Sequence, residues 1–303
     1  MLSRDQKAYV DTFQYYNGMI NVSWLAGYLR RGEEERSFSI QQTNNLNHAL
    51  PVALRQGDVL PGRFKDLSRL KVTCRVTGRK LENGERVAVL EVLGLDVPTV
   101  LDMPPTDQWN YMLPEGVPGS DFKPSEGGTV FSKNSNVVKI AGYVCGVAVE
   151  PAGSINEKGN VSSGCLKLLI AQKGDFDNAI PVRIYGKLAE AQADRLRLGM
   201  PILIDDGEFR IRVKETGEAA GEDGVKPVAK YPYVQAKVVK LANRDVMMGD
   251  TPQWAVDLAN IGRANRRARG VSAPTAAPTA APAAPAAAPA QDAQTMAQIA
   301  AQI

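Results

Sequence analysis

The run Glu208–Lys214, EFRIRVK, alternates charge with hydrocarbon. Successive side chains of an extended strand point to opposite faces, so Arg210, Arg212 and Lys214 share one face while Phe209, Ile211 and Val213 share the other. A second run, IPVRIYGK, sets Arg183 and Tyr185 on one face, away from Val182 and Ile184, with Lys187 just beyond. A row of cations can follow a chain of phosphates, and an interleaved phenol ring offers a π face to an unstacked base, worth roughly 1–3 kcal/mol per base. Lys71, Thr73, Arg75 and Thr77 make a similar polar face in the first half of the chain, Lys167 interrupts the apolar run CLKLLIA, and Arg55 falls where Tyr185 stands in the second half. A solvated strand face is the plain alternative for any one stripe. The interleaving of Arg with Tyr, its recurrence in both halves and the basic run Arg263, Arg266, Arg267 and Arg269 favour nucleic acid.

The remaining aromatics divide. Tyr28 and Tyr143 occupy matching places after an Ala-Gly pair, where a core role and a stacking role are equally open, and Trp24 is similar. Phe176 lies in the polar stretch QKGDFDN, which favours contact with a ligand. Phe209 alternates with the arginines and reads as core. Trp109 and Tyr111 fall in a Pro/Gly-rich stretch and could strap the two halves together or cover a bound strand.

Catalytic and metal constellations are absent from the pattern. GDVLPGR at 57–63 has the spacing of a phosphate loop without the Lys-Ser/Thr that completes one, and Ser68 with Lys71 is an S-x-x-K match of low specificity. Asp205 and Asp206 are adjacent, point apart along a strand and make a poor acid/base pair. One histidine, His48, and three scattered cysteines, Cys74, Cys145 and Cys165, give no ligand spacing for zinc. The expectation is a binding protein, neither an enzyme nor a cofactor carrier. Each cysteine sits in an apolar run and reads as a buried free thiol of a reducing compartment. No stretch of about 18 apolar residues and no signal-like start occur, so a cytoplasmic protein without membrane contact is expected.

These residues need strands to hold them. Among 303 residues with 44% hydrophobic content and a net charge of +3, internal repetition is the strongest organising signal. NVSWLAGYLRRG at 21–32 echoes NVVKIAGYVCGV at 136–147, ALPVAL at 49–54 echoes AIPVRI at 179–184, and ERVAVLEVLGLD at 85–96 parallels PYVQAKVVKLAN at 232–243, in the same order. In the second half two β-like runs and AIPVRIYGK are followed by a helix-forming segment, Leu188–Gly199, and a long final hairpin. Five strands with a helix between the third and fourth is the order of an OB-fold, a small Greek-key barrel whose helix plugs one end. The chain is therefore expected to be all-β with small helices: an OB-fold unit at 1–102, a linker at 103–130, a second OB-fold unit at 131–246 and an amphipathic, basic helix at 247–270. That helix has Thr251 as N-cap, Pro252 in its first turn, and Trp254, Leu258 and Ile261 on one face. Residues 271–303 read as an Ala/Pro-rich disordered tail, with Met296, Ile299 and Ile303 forming either a docking tip or a polar frayed end.

NVVKIAGYV, VRIYGKLAEAQADRLRLGMPILIDDGEFRIR and YPYVQAKVV together resemble the bacterial single-stranded DNA-binding protein family over about 110 residues, and two units in one chain resemble its tandem branch. The resemblance implies coating of single-stranded DNA in replication, recombination or conjugative transfer, by a dimer presenting four OB units, with a protein partner for the tail. It also implies base-stacking aromatics. Tyr185 matches one, but Ala179 and Lys214 stand where tryptophans would be expected. The acidic, Phe-ended tip of the family is missing. This divergence points to a phage, plasmid or integrated mobile element. An OB-fold assembly module and an RNA-binding protein remain the alternatives.

Overall fold

The computed structural model describes residues 19–32, 37–43, 45–103, 134–153, 164–216 and 227–268. The expected linker (except Met103), Trp109, Tyr111 and the Ala/Pro tail lie outside them. The described strands are β1 (Asn21–Arg31), β2 (Ser37–Gln41), β3 (Leu50–Ala53), β4 (Arg69–Lys80), β5 (Arg86–Asp96), β6 (Asn136–Glu150), β7 (Cys165–Ala171), β8 (Ile180–Tyr185), β9 (Pro201–Glu215) and β10 (Val228–Leu241). Helix α1 (Gly186–Ala193) follows β8 and α2 (Gln253–Ala268) follows β10.

Hydrogen bonding closes these strands into two rings of the same order. β1 pairs with β2 and β4, β2 with β3, β3 in parallel with β5, and β5 with β4. β6 pairs with β7 and β9, β7 with β8, β8 in parallel with β10, and β10 with β9. Each ring is a five-stranded Greek-key barrel, the OB-fold, and the chain is an all-β protein with two of them and a C-terminal helix. Alternation fills the interiors: along β4, Leu70, Val72, Cys74 and Val76 are buried while Lys71, Thr73, Arg75 and Thr77 are partly exposed. The Ala-Gly-Tyr echo has a packing cause. A Cβ on Gly27 would stand 2.7 Å from the Gln41 carbonyl oxygen, and one on Gly142 would stand 2.9 Å from that of Ala171, so both strands approach a neighbour too closely for a side chain.

The barrels are joined along β1 and β6, which pair antiparallel with Asn21 opposite Ile140 and Leu25 opposite Asn136. Because Asn21 and Leu25 are the counterparts of Asn136 and Ile140, the junction maps onto itself when the barrels are exchanged. The local axis passes Ser23 and Val138. The same exchange relates two buried clasps. Asn21 binds the Val76 backbone with both ends of its amide and donates to the Gln172 side chain at 2.7 Å. Asn136 does the same with the Phe209 backbone and the Gln42 side chain, at 3.1 Å. Each asparagine thus pins a strand of its own barrel and a glutamine of the other.

The third sequence echo requires correction. In the two parallel pairs Val52 faces Leu90 and Val182 faces Val234, so Leu90 corresponds to Val234 and not to Lys237 as the echo aligned it. The offset is already present at Leu90, and the irregularity that follows, between Val92 and Gly94 and between Ala236 and Val238, is common to both barrels. The helices also differ from expectation. α1 starts at Gly186 and stops at Ala193, short of Gly199, and between β3 and β4 of the first barrel there are turns with no helix. For α2 the Pro252 carbonyl, not Thr251, takes the first helical hydrogen bonds, from Ala255 and Val256.

Candidate nucleic-acid interface

The outward face of β8, β10 and β9 carries one continuous set of phenols and guanidiniums. Gln235 lies beside Arg183 in the parallel pair, so Tyr233 is set two residues back along β10 and its ring reaches across to Arg183 and Tyr185; Tyr233 faces Arg210 and Tyr231 faces Arg212 across β9. The Arg183 guanidinium stacks 5.0 Å from the centre of the Tyr233 ring and that of Arg212 4.8 Å from the Tyr231 ring. Tyr185 and Tyr233 meet edge to face at 6.5 Å, with the Tyr185 hydroxyl donating to that of Tyr233 at 3.4 Å. Burial, then the bond from Tyr185, pushes the Tyr233 phenol far above its ordinary pKa, so it stays neutral. The result is a ladder of half-buried rings, each with an arginine against it. Packing from Val182, Ile184 and Val234 inside the barrel holds it in place.

Tyr231 and Tyr233 were not singled out from sequence, although the alternation in YPYV places them in step with the arginines of the facing strand. The signal was present, but only the pairing of β9 with β10 shows that the two stripes are one surface.

Each cation expected at the interface has a definite electrostatic setting. Arg212 pairs with Glu85, Arg210 with the buried Glu208, Lys167 with Glu150 and Arg75 with Glu91, while Lys71 meets Asp102 at 2.8 Å. Arg183 has no carboxylate partner among the described residues and is held by the two tyrosines instead. Lys187, Lys214 and Arg55 are exposed and unpaired among the described residues. On α2, Arg263 and Arg267 are exposed and Arg266 half-buried along one flank.

Four aromatics proposed as contacts are placed inside the protein. Trp24 is buried with Val22 against Ile20 and Val137, and Tyr28 lies under Met103. Tyr143 and Phe176 are covered by Trp254 of α2, whose ring meets theirs edge-on at 5.2 and 5.8 Å. None of the four has a free face for a base, and the ligand role expected for Phe176 gives way to a packing role. Its loop is polar because only the ring turns inward. Ala179, also fully buried, joins the same cluster with Leu258. The site where a stacking tryptophan was expected is therefore closed off inside the protein.

The two barrels differ most at this face. Register makes Ala53 the counterpart of Arg183, Arg55 of Tyr185, Val89 of Tyr233, Val87 of Tyr231, Thr77 of Arg210 and Arg79 of Arg212. The first barrel carries no ring at any of these positions.

Among the described residues no group of three or more His, Cys, Asp or Glu side chains could hold a metal ion, and no helix is long and apolar enough to cross a membrane. The three cysteines are free and buried, and burial pushes the Cys145 thiol up to about 12.

No protein-family model matches the sequence, and no curated protein matches it. Among solved structures, the chain is similar to a deletion mutant of the single-stranded DNA binding protein from Thermus aquaticus, with 14% identity, a TM-score of 0.42 and coverage of 78% of this chain and 98% of that one. The wild-type Thermus aquaticus protein is similar at 14% identity and a TM-score of 0.39, over 75% of this chain and 94% of that one.

Proposed function

We propose that this protein binds single-stranded DNA without reading its sequence, coating and protecting it in replication, recombination or conjugative transfer. The observation that carries the reading is the ladder of Tyr185, Arg183, Tyr233, Tyr231 and Arg212. π faces for unstacked bases alternate with cations for phosphates along one strand surface, the two requirements of sequence-tolerant single-strand binding. Binding is passive and needs no cofactor. The basic flank of α2, with Arg263, Arg266 and Arg267, supplies further cations for phosphates.

The resemblance to the tandem single-stranded DNA-binding proteins supports two further elements: association of two chains to give four barrels, and a protein partner for the C-terminal tail. The buried free thiols support a cytoplasmic role, and the departures from the family pattern support origin on a mobile element.

The test is a fluorescence-quenching titration with oligo(dT), duplex DNA and a matched RNA at two salt concentrations. Tight binding to oligo(dT), weakening with a log–log slope of about 0.7 per phosphate neutralised, is the expected result. Preference for duplex, or binding indifferent to salt, would refute it. Preference for the RNA would transfer the same chemistry to the other nucleic acid.

A further inference from the structure

The hairpin between β4 and β5 belongs to the first barrel but lies against the ladder of the second. Its stem is fixed by several contacts. The Gly78 amide donates to the Asn178 carbonyl at 3.0 Å, and the Arg86 guanidinium donates to the carbonyls of Phe176 at 2.6 Å and Asp177 at 3.1 Å. Its tip is a tight turn, in which the Leu81 amide bonds the Glu85 carbonyl at 2.8 Å and Gly84 takes a φ of 81°. From this tip the Asn83 amide donates to the Tyr231 hydroxyl at 3.5 Å and the Glu85 carboxylate sits on Arg212. Between hairpin and barrel runs an open crevice of about 720 Å³, whose lining includes Lys167, Arg183 and Arg212 together with Leu169 and Pro181. That volume lies in the range of small-ligand sites, roughly 300–1,000 Å³, and the lining pairs cations with an apolar patch.

We propose that this inter-barrel crevice is part of the binding groove: the unpaired strand runs between the ladder and the hairpin, and a phosphate takes Arg212 from Glu85. This rests on the single-strand reading above and divides the labour between the barrels. The second supplies every stacking ring, while the first, whose own face has Arg55, Val87 and Val89 in their places, supplies a wall. Glu85 and Arg212 are about one-third exposed, so water reaches their pair and an arriving phosphate can displace the carboxylate. Because the stem is bolted down, only the Glu85 side chain has to move.

The experiment compares oligo(dT) affinity of the full chain as wild type, Glu85→Gln, Arg212→Ala and the double variant. An exposed ion pair competes weakly, so Glu85→Gln should tighten binding roughly two- to fivefold. The gain should vanish in the Arg212→Ala background. Unchanged or weaker binding by Glu85→Gln, or an equal gain with and without Arg212, would overturn the proposal. A second readout needs no affinity change: Glu82 is exposed while the native cysteines are buried, so Glu82→Cys can be labelled selectively with a fluorophore. A response to oligo(dT) supports the groove, and a silent label on a chain that binds overturns it. A wild-type chain that binds no oligo(dT) at all would instead remove the single-strand reading on which the groove depends.

Discussion

Gly78→Ala is the sharpest test of how the two barrels meet. A Cβ built on Gly78 falls 2.8 Å from the Asn178 carbonyl oxygen and closer still to the carbonyl of Ala179. Real Cβ atoms do not approach so near, and the opposing atoms are backbone, so they cannot yield by a rotamer change. Ala179 is itself fully buried. Overpacking of this kind costs about 1–3 kcal/mol, and loss of the Gly78 to Asn178 hydrogen bond adds about 1 kcal/mol. The expected total of about 2–4 kcal/mol corresponds to a fall in melting temperature of roughly 5–15 °C for a chain of this size. The assay is thermal unfolding followed by circular dichroism, with Gly94→Ala as control. Gly94 lies on β5, the partner of β4, with open space where its Cβ would go, so that change should be neutral within about 0.5 kcal/mol or slightly stabilising. If Gly78→Ala melts with the wild type, the first barrel's strand does not press on the β7–β8 loop in solution.

Tyr185→Ala should weaken oligo(dT) binding by about 1–3 kcal/mol with little change in melting, because Val182 and Ile184 hold the strand from inside; unchanged affinity in a fluorescence titration would move the stacking surface elsewhere. Ser23→Ala should raise stability by about 1 kcal/mol in urea unfolding, since the Ser23 hydroxyl is buried on the junction axis without a hydrogen-bond partner among the described residues, and a loss of stability would show that the hydroxyl is satisfied. Hydrogen bonds from Lys139 and then Lys240 lower the Asp205 carboxyl below its ordinary pKa. A depressed folded-state value contributes stability above the unfolded pKa of about 3.9 and loses it as pH falls through the folded value. The melting difference between wild type and Asp205→Asn should accordingly be present at pH 7 and fade progressively as pH drops below about 4; a difference constant with pH would refute the linkage.

The duplication was legible because its markers have local causes. Gly27 and Gly142 are required by close strand contacts, and Asn21 and Asn136 by matching clasps, so the residue types recur wherever the geometry does. Alternation placed Arg210, Arg212 and Phe209 on their correct faces without reference to anything distant. What failed depended on pairing across the chain. Phe176 looked exposed because its neighbours are polar, and its cover, Trp254, arrives from a helix far along the sequence. The register of β5 against β10 is set by their parallel pairings with β3 and β8, which string comparison cannot see. Glu85 and Arg212 are 127 residues apart, and neither carries a mark of the other.

β1 is hydrogen-bonded to β2 and β4 of its own barrel and to β6 of the next, and nine of its eleven residues are buried. An excised half would bare that strand's apolar flank, an unpaired edge and a glutamine deprived of its asparagine. Since the junction maps onto itself, the natural repair is a second copy of the same half offering the same edge. The chain can thus be understood as a symmetric dimer written into one polypeptide. Because the halves are covalently joined they need not be identical, and here one carries the rings while the other keeps the same fold without them.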